Sequence, residues 1–409
     1  MASDDAPMLF NLFSSDPTYR ADPDKRLKAL REGCPVKRDA IANVVMISRY
    51  ADVRATVNDR TLVKHPVHAR PDSLYGQARM RPDGRPLEQD TTADSILHLD
   101  DPDHARIRGP LMQAFYKRAA KMRPATERIV GEVLDGLAGR KSFDMIADVG
   151  VPIPILVIAD VLGVERGRLK EFREWSEAII LTLNPFATPE QRERVAWAGE
   201  MLDAFFMEEM AARRMAPRDD LLTDMVQLQA EGAALSDREI VINCSALLVG
   251  GNLTTTDLIG NGVKLLLEHP EQLAALKADP SLINAAVEEI LRFDGPIDFT
   301  IRVAPREMEL DGCPVHKGDP IWTMLRAANK DPAVFEEPDR FDIMRKHAPH
   351  VAFGGGAHIC IGAPLARMEA QCAIPAIFDR FPNLRLAKQE FVWRALPGFR
   401  GLERLIVEP

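Results

Sequence analysis

A single cysteine, Cys360, lies in the glycine-rich run 353–362, and this run has the composition of a metal-ligand loop. Four of its ten residues are glycine, which lets the backbone turn sharply and approach a flat partner closely. Backbone N–H groups and a predicted helix starting at Ala363 favour the thiolate form, which is the form that ligates metals. The run alone leaves two interpretations open: a metal-ligating thiolate, or a glycine-rich turn around a buried structural cysteine.

Two pairs of charged residues stand at helical spacing. His104 and Arg108 are four apart, and Glu289 and Arg292 are three apart, so each pair shares a helix face. Taken alone, the first pair is typical of a solvated basic face and the second of a weak surface ion pair. Arginine can also offer two parallel N–H groups to a carboxylate. The spacing by itself therefore does not decide whether either pair binds a ligand.

The longest predicted helix must position much of this chemistry. It begins at Ser236 and runs to about His269, which is about 50 Å at 1.5 Å per residue. Ser236 and Glu239 form a capping-box pattern at its start. The glycine pair 250–251 in its middle costs about 1 kcal/mol per residue relative to alanine. It indicates either close packing against a neighbouring helix or a flat ligand on the bare backbone. Thr254 is predicted to bond back to the carbonyl of the first glycine and open a polar notch.

The remaining pattern is mainly helical, with short strands near both ends of the chain. A strand is predicted over residues 43–48, followed by a helix from about Tyr50. Residues 66–97, rich in Arg, Pro, Asp and Gly, are predicted to form a long irregular connection. The spacing of apolar residues predicts further helices over residues 126–137, 189–215 and 270–293.

The composition predicts a large, well-solvated globular protein. With 409 residues, 46% hydrophobic and 28% charged, the chain is long enough for two or three domains or for one large domain. The polar N-terminus and the short, proline-interrupted apolar stretch 151–164 predict neither a signal peptide nor a membrane span. Five widely spaced cysteines indicate a reducing compartment, so we expect a cytoplasmic protein without a membrane partner. A net charge of −9 argues against nucleic acid as a partner.

These motifs resemble those of the cytochrome P450 family, almost letter for letter at the cysteine run and in order over nearly the whole chain. The resemblance implies a mainly α cytochrome P450 fold in a single domain spanning residues 1–409: a helical prism with a small β-rich region, and the haem between the long central helix and the cysteine loop. It implies that Cys360 ligates the iron of haem b, and that Glu289 and Arg292 support the cysteine loop through residues 338–341. Other residues implied to bind the cofactor are His104, Arg108, Arg302 and His358, at the propionates, with Phe353 and Gly354.

The family resemblance also implies a reaction. We expect a haem-thiolate monooxygenase that inserts one oxygen atom of O2 into a small hydrophobic substrate, a hydroxylation. Electrons would come from NAD(P)H through a reductase and a 2Fe–2S or similar ferredoxin, because no such module is fused to this chain. We expect a monomer. Peroxide-driven oxidation and a haem-binding ligand or gas sensor without turnover are the alternatives. The residues expected to form the pocket wall are Ala246, Val249, Gly250, Ile297, Asp298 and Phe299.

Two positions depart from the family pattern. Thr254 is expected to stabilise bound oxygen and relay protons, but the acid that often precedes this threonine is replaced by Leu253, which cannot transfer a proton. Asp257, one turn further along, is the candidate substitute. We therefore expect slowed or rerouted proton delivery and more uncoupling to peroxide. Asp298 stands where the family is usually apolar, and it is either paired with a nearby basic group or an anchor for a substrate hydroxyl or amine.

Basic residues are concentrated between His104 and Arg123, a segment that contains no Asp or Glu. The segment is either an ordinary cationic helix or a docking patch for an acidic redox protein, and the resemblance favours the second. The basic residues in question are Arg106, Arg108, Lys117, Arg118, Lys121 and Arg123.

Overall fold

The computed structural model describes residues 17–77, 94–183, 187–346 and 349–409. The chain divides into two compact units. Unit 1 contains the described residues of Met1–Gln89, together with Glu288–Cys360 and Phe391–Arg400. Unit 2 contains the described residues of Asp90–Val287, together with Ile361–Glu390 and Gly401–Pro409. The expectation of a single domain over residues 1–409 stays a prediction.

Helices dominate the described residues. The α-helices are α1 Pro17–Ala21, α2 Asp24–Gly33, α3 Tyr50–Asn58, α4 Leu74–Gln77, α5 Asp103–Ala119, α6 Arg123–Asp135, α7 Pro152–Leu162, α8 Leu169–Ile179, α9 Pro189–Met215, α10 Leu221–Ala230, α11 Asp237–Glu268, α12 Pro270–Ala278, α13 Ile283–Asp294, α14 Leu325–Ala328 and α15 Ala363–Arg380. Shorter 3-10 helices are Pro66–His68, Arg166–Arg168, Ile180–Leu183, Pro280–Leu282 and Gly356–His358, and Met145–Gly150 is a π-helix.

The strands form small sheets, each within one unit. The strands are β1 Val36–Asp39, β2 Val44–Ile47, β3 Phe143–Asp144, β4 Phe299–Val303, β5 Met308–Leu310, β6 Cys313–Val315, β7 Pro320–Met324, β8 Arg385–Leu386 and β9 Ile406–Glu408. Unit 1 holds a four-stranded sheet in the order β1-β2-β7-β4 and the hairpin β5-β6, and unit 2 holds a sheet in the order β3-β9-β8.

The four-stranded sheet forms the centre of unit 1. Strand β2 pairs antiparallel with β1 and parallel with β7, and β7 pairs antiparallel with β4. All four residues of β2 are buried, because apolar side chains pack on both of its faces. This strand confirms the prediction over residues 43–48, and α3 begins at Tyr50 as predicted.

The central helix α11 is the longest helix of unit 2 in the described chain, at 32 residues. Both bonds of the predicted capping box are present: the Glu239 N–H donates to Ser236 Oγ, and the Ser236 N–H donates to the Glu239 carboxylate. Helix α9 begins with a second capping box, formed by Thr188 and Gln191. Helices α7, α9 and α15 pack against α11, so the central helix is largely enclosed within unit 2.

Two of the predicted segments differ from the structure. The continuous helix over residues 270–293 is wrong, because the chain forms α12, a 3-10 turn at Pro280–Leu282, and then α13. A proline inside a helix removes a backbone hydrogen bond and clashes with the preceding turn. Of the predicted connection 66–97, the described part contains the 3-10 helix Pro66–His68 and the short helix α4. Residues 78–93 lie outside the described residues.

The apolar stretch around α7 is longer than the sequence predicts. The π-helix Met145–Gly150 leads into α7, and the combined segment Met145–Leu162 is 18 residues long with a mean hydropathy of 2.1. In the described chain it is the one helical segment that meets a length-and-composition criterion for a membrane span. Because 67% of it is buried inside the protein, its apolar character is explained by the core of unit 2.

Candidate functional site

The loop around Cys360 is held by its own backbone, within unit 1. The Cys360 N–H donates to the carbonyl of Phe353 at 3.0 Å. Gly354 and Gly356 adopt φ values of +69° and +63°, a region that residues with a Cβ rarely occupy. A Cβ on Gly356 would also lie 2.4 Å from the carbonyl oxygen of Val57. The glycines thus allow a close approach to α3, and the loop presents an exposed Cys360.

The other cysteines have different surroundings. Cys244 and Cys372 are buried, and burial raises the pKa of the Cys244 thiol to about 12 and that of Cys372 to about 11. Both therefore stay protonated at neutral pH, whereas a metal-ligating cysteine must lose its proton. Cys34 follows the end of α2, and Cys313 lies in the β5-β6 hairpin. Cys360 is exposed, so the interpretation as a buried structural cysteine is wrong. Its role as a metal ligand stays a prediction.

The predicted pair Glu289 and Arg292 is a buried, bidentate ion pair with both N–O distances at 2.7 Å. Arg292 also donates to the carbonyls of Asn329, at 3.0 Å, and Pro338, at 2.9 Å. The side-chain oxygen of Asn329 in turn accepts from the Val351 N–H at 2.8 Å. The pair is thus connected to the backbone just before the cysteine loop, which agrees with a supporting role.

Arg302 and His358, two of the predicted propionate ligands, lie in unit 1. Arg302 is on β4 and only 3% exposed, and its guanidinium donates to the carbonyls of Val57 and Gly355 at 3.1 and 3.3 Å. His358 is half-buried in the 3-10 turn Gly356–His358. Gly355 directly precedes this turn, so Arg302 is attached to the loop that carries both His358 and Cys360.

His104 and Arg108, the other two predicted propionate ligands, lie on successive turns of α5 in unit 2. His104 is 2% exposed, and its Nδ1 lies 3.5 Å from Asp101 Oδ1. Arg108 is half-buried. A solvated basic face is therefore the wrong description for His104, and a ligand-binding role for the pair stays a prediction.

Acidic residues of unit 2 form ion pairs with two basic residues of the segment between His104 and Arg123, and so neutralise part of its positive charge. Arg106 pairs with Glu239 at 2.6 Å, and Arg118 pairs with Asp224 at 2.6 Å and also with Asp219. These acids lie 101 to 133 residues away in sequence, so the local charge count overstated the positive charge of this surface. The docking interpretation stays a prediction, and its electrostatic basis is weaker than the sequence indicates.

The central helix α11 has an open stripe, formed by Ala246, Gly250 and Thr254, none of which is buried. These residues are four apart, so they lie along one helix face. A Cβ on Gly250 would meet no heavy atom within 4 Å, whereas a Cβ on Gly251 would touch Ile158 at 3.4 Å. Close packing therefore accounts for Gly251 but not for Gly250, which is free to lie against a ligand.

Thr254 makes the predicted bond to its own helix. Its Oγ1 donates to the Gly250 carbonyl at 2.7 Å, and α11 continues without a break through this position. Leu253 is half-buried beside it. Val249, another predicted pocket residue, is 8% exposed and lies next to the open stripe.

Asn252 and Asp257 contact other parts of unit 2. Asn252 Nδ2 donates to Ser176 Oγ on α8 at 3.2 Å. Asp257 is fully buried, and a Cβ on Gly401 would lie only 1.9 Å from its Oδ1. The carboxylate of Asp257 is thus packed against the Gly401 backbone. This placement indicates a structural contribution, and the proton-transfer role of Asp257 stays a prediction.

The residues before Arg302 divide between the two faces of β4. Asp298 accepts from Arg326 Nε at 2.7 Å, which favours the ion-pair interpretation over the substrate anchor. Phe299 stacks on Trp322, with ring centroids 4.4 Å apart and planes 6° apart. Side chains alternate along a strand, so Phe299 projects away from the face of Arg302. This geometry does not support Phe299 as a pocket neighbour of Arg302.

Sequence reasoning missed two residues here. Thr300, two positions before Arg302, shares the Arg302 face of β4, and strand alternation would have identified it. Arg326 had no sequence signal, because its contact with Asp298 joins residues 28 apart. Ile297 forms an isolated bridge with Phe399 and keeps its place as a candidate pocket residue.

The residues of each unit fit the haem that the sequence resemblance implies. Unit 1 offers the exposed thiol of Cys360 and the nitrogen donors of Arg302 and His358. Unit 2 offers His104 and Arg108, together with the bare backbone of the open stripe. A thiolate is a known haem-iron ligand, and arginine is suited to carboxylates. Taken by itself, unit 1 has donors for both the metal and the acidic groups of a haem, and unit 2 has donors for the acidic groups.

Comparison with known proteins identifies the family. The chain matches the family model Cytochrome P450 over residues 42–392. Cytochrome P450 107B1 of Saccharopolyspora erythraea is 37% identical over 406 residues, which cover 98% of each chain. The chain therefore belongs to the cytochrome P450 family, and it is a haem-dependent monooxygenase.

Solved structures confirm the expected fold. CalO2 superposes with a TM-score of 0.87 at 30% identity, covering 97% of this chain and 98% of that one. P450BioI, solved with an acyl carrier protein ligated to hexadec-9Z-enoic acid, superposes with a TM-score of 0.85 at 31% identity, covering 97% and 100%. The monooxygenase PikC of Streptomyces venezuelae is 36% identical over 318 residues, covering 76% of this chain and 75% of that one.

Proposed function

We propose that this cytochrome P450 hydroxylates a small hydrophobic substrate with O2, using electrons from NAD(P)H that a reductase and a ferredoxin deliver. The observation that carries the proposal is the exposed Cys360 on a loop fixed by its bond to Phe353. A haem bound through such a thiolate supplies the oxygen chemistry, with the thiolate favouring O–O cleavage. We further expect a monomer located in the cytoplasm.

The side chains proposed to bind the haem are those that can donate to its iron or to its propionates. Cys360 donates its thiolate to the iron, and His104, Arg108, Arg302 and His358 hold the two propionates. Arg302 is well suited to this role because it is already oriented by two backbone carbonyls and its planar guanidinium can bind a carboxylate through two N–H groups. Phe353 and Gly354 complete the loop on the thiolate side.

In this proposal, the open stripe of α11 contacts the substrate, and its Thr254 takes part in proton transfer. Gly250 and Ala246 keep one helix face free of bulk, so an apolar substrate can lie there. The Thr254 hydroxyl donates a hydrogen bond to the Gly250 carbonyl, which leaves the lone pairs of its oxygen to accept a hydrogen bond from water. Asp257 is the proposed acid of this route, although its carboxylate is packed against Gly401.

Leu253 allows a direct test of the proton route. An acid at this position would provide a group that can transfer protons, so Leu253→Asp is expected to raise product formed per NADPH oxidised by at least about twofold. The control is Leu253→Asn, which is polar but cannot donate an ionisable proton. Equal coupling in the wild type and in Leu253→Asp would show that the chain has an adequate route without an acid at 253.

The test of the function uses the haem-loaded protein. After reduction, carbon monoxide should give the red-shifted Soret band of a thiolate-ligated haem, and Cys360→Ser should lose this band. Product formation should require ferredoxin, reductase and NAD(P)H together. Binding of ligands without any turnover would contradict the monooxygenase proposal and favour a sensor.

Peroxide-driven oxidation is a second candidate, because Leu253 removes the usual acid. It is distinguished by the same preparation: turnover with hydrogen peroxide alone that equals or exceeds turnover with the redox partners would favour it. Retention of Thr254 supports the O2-dependent reaction.

A further inference from the structure

A buried group of charged side chains lies in unit 1 and includes Asp298, one of the residues predicted for the pocket wall. We call it the Arg326 cluster. Its three carboxylates and three cations balance each other. All except Asp24, which is 30% exposed at its side chain, are at least nine-tenths buried. The members are Asp24, Asp294, Asp298, Arg326, Lys330 and Arg400.

Arg326 is the centre of this cluster. Its Nε lies 2.7 Å from Asp298 Oδ1, its Nη2 lies 2.5 Å from Asp294 Oδ1, and its Nη1 lies 3.4 Å from Asp24 Oδ1. Burial alone would lower the pKa of Arg326, but the fields of these three carboxylates outweigh it and hold the pKa well above its usual value. Arg326 therefore stays charged in the interior.

Arg326 also holds the backbone next to Asp298. The Arg326 N–H donates to the Asp298 carbonyl at 3.2 Å, and Arg326 Nη2 donates to the Gly295 carbonyl at 3.3 Å. Side chain and main chain of the segment from Asp294 to Asp298 are thus fixed by one residue.

A second backbone segment is attached to the same cluster. The Asp298 N–H donates to the Gly398 carbonyl at 3.0 Å, and the Arg400 N–H donates to the Pro296 carbonyl at 2.9 Å. Arg400 Nε also lies 3.0 Å from Asp294 Oδ1. Residues 296–298 and 398–400 are therefore joined by backbone hydrogen bonds, and each segment contributes a charged side chain to the Arg326 cluster.

Such a cluster is not needed for stability alone. Replacing buried ion pairs with well-packed apolar residues is often neutral or stabilising, whereas ion pairs impose directional geometry. We propose that Arg326 is a positioning residue that sets the path of residues 295–300, and through it the substrate selectivity of the enzyme. The proposal rests on the proposed function, because Ile297 and Asp298 are candidates for the pocket wall only through the family resemblance.

The same geometry indicates what kind of ligand this wall accepts. The Asp298 carboxylate is bound by Arg326 and is not offered to a substrate amine. Ile297 is half-buried and packs against apolar residues of unit 1. The segment thus adds no available charged group to the wall, and we expect it to discriminate by shape and not by charge. We therefore assign selectivity among neutral ligands of different width to this segment.

The test compares matched variants of the haem-loaded protein. Asp298→Asn removes one charge of the Arg326 cluster. Arg326→Lys keeps the charge but loses the planar guanidinium, which contacts several partners at once. The control is Asp319→Asn, because Asp319 is also fully buried and is held by Arg38 at 2.5 Å and Arg70 at 3.2 Å. All three substitutions disturb a buried ion pair of unit 1, but only the first two affect residues 295–300.

The measurement is the ratio of dissociation constants for a narrow and a wide neutral ligand, taken from the spin-state shift of the haem band. We expect this ratio to change about tenfold in Asp298→Asn or Arg326→Lys, the low end of what one methylene group is worth in an apolar pocket. The ratio in Asp319→Asn should stay within about twofold of the wild type.

The proposal is overturned if Asp298→Asn and Arg326→Lys lower the melting temperature as Asp319→Asn does but leave the ratio unchanged. Should Asp298→Asn fail to fold, Arg326→Lys decides alone, because it preserves the charge balance. A wild-type protein without the thiolate–carbon monoxide band would instead contradict the proposed function, so the two failures are distinguishable.

Discussion

Buried carboxyl groups are stabilised in opposite ways in two regions of this molecule. In the Arg326 cluster, burial would raise the pKa of Asp24, but Arg326 and Lys330 lower it below its usual value. On α15, Glu369 is 2% exposed, and its Oε2 has no hydrogen-bond partner among the described residues. Burial raises the pKa of Glu369 well above its usual range. A paired carboxyl stays ionised, whereas one without a cation keeps its proton.

The largest expected effect comes from leaving a paired carboxylate without its cation. Arg292→Met removes both bonds to the Glu289 carboxylate and is expected to lower the free energy of unfolding by about 3–5 kcal/mol, because the buried carboxylate loses its bidentate partner. Urea unfolding of the haem-loaded protein measures the loss. Arg345→Met is the control: Arg345 Nε lies 3.3 Å from the same carboxylate, and its removal leaves the bidentate pair intact. Equal losses in both variants would contradict the importance of the pair.

An intermediate effect of opposite sign is expected at Glu369. Glu369→Met removes a buried polar group and should raise the free energy of unfolding at neutral pH by about 1–3 kcal/mol. In the wild type, the unfolded chain releases this proton near the ordinary pKa of 4.5, while the folded protein retains it to higher pH. The folded state therefore binds more protons, and its stability falls as the pH rises above that value.

The pH dependence separates ionisation from packing at this position. Urea unfolding at about pH 5 and about pH 8 should show a falling contribution from Glu369 in the wild type. Glu369→Gln should lose this pH dependence while gaining less stability than Glu369→Met, because a polar amide remains buried. If both variants kept the pH dependence of the wild type, the protonated state assigned to Glu369 would be wrong.

The smallest effect is expected at an exposed ion pair. Arg173 and Glu177 are one turn apart on α8 with an N–O distance of 2.9 Å, and both side chains are about half exposed. Glu177→Ala should change the free energy of unfolding by no more than about 0.5 kcal/mol, since water screens the pair. A loss as large as that of Arg292→Met would show that burial does not explain the difference between these regions.

The sequence predicted the features that depend on local chemistry. The capping box at Ser236 and Glu239 predicted the start of α11, because both of its bonds span three residues. The cysteine loop was predicted through its glycines and its family resemblance. The spacing of apolar residues wrongly predicted one helix over residues 270–293, because Pro280 interrupts an otherwise helical pattern.

Features that depend on distant residues were not predictable from the sequence. The two interpretations of Asp298 stayed open because its partner Arg326 is contributed by a different element. The acids that pair with Arg106 and Arg118 come from elements more than 100 residues away, so charge counting along α5 missed them. The family resemblance suggested Phe299 for the pocket wall, and the sequence did not show that Trp322 stacks on its ring.

The contact between Asp257 and Gly401 has a consequence for related sequences. An added methyl group at 401 would occupy the space of the Asp257 carboxylate, since the Cβ position lies 2.2 Å from Asp257 Cγ. In homologues with alanine or a larger residue at 401, position 257 should therefore be a smaller residue. These two positions should co-vary in an alignment, although they are 144 residues apart.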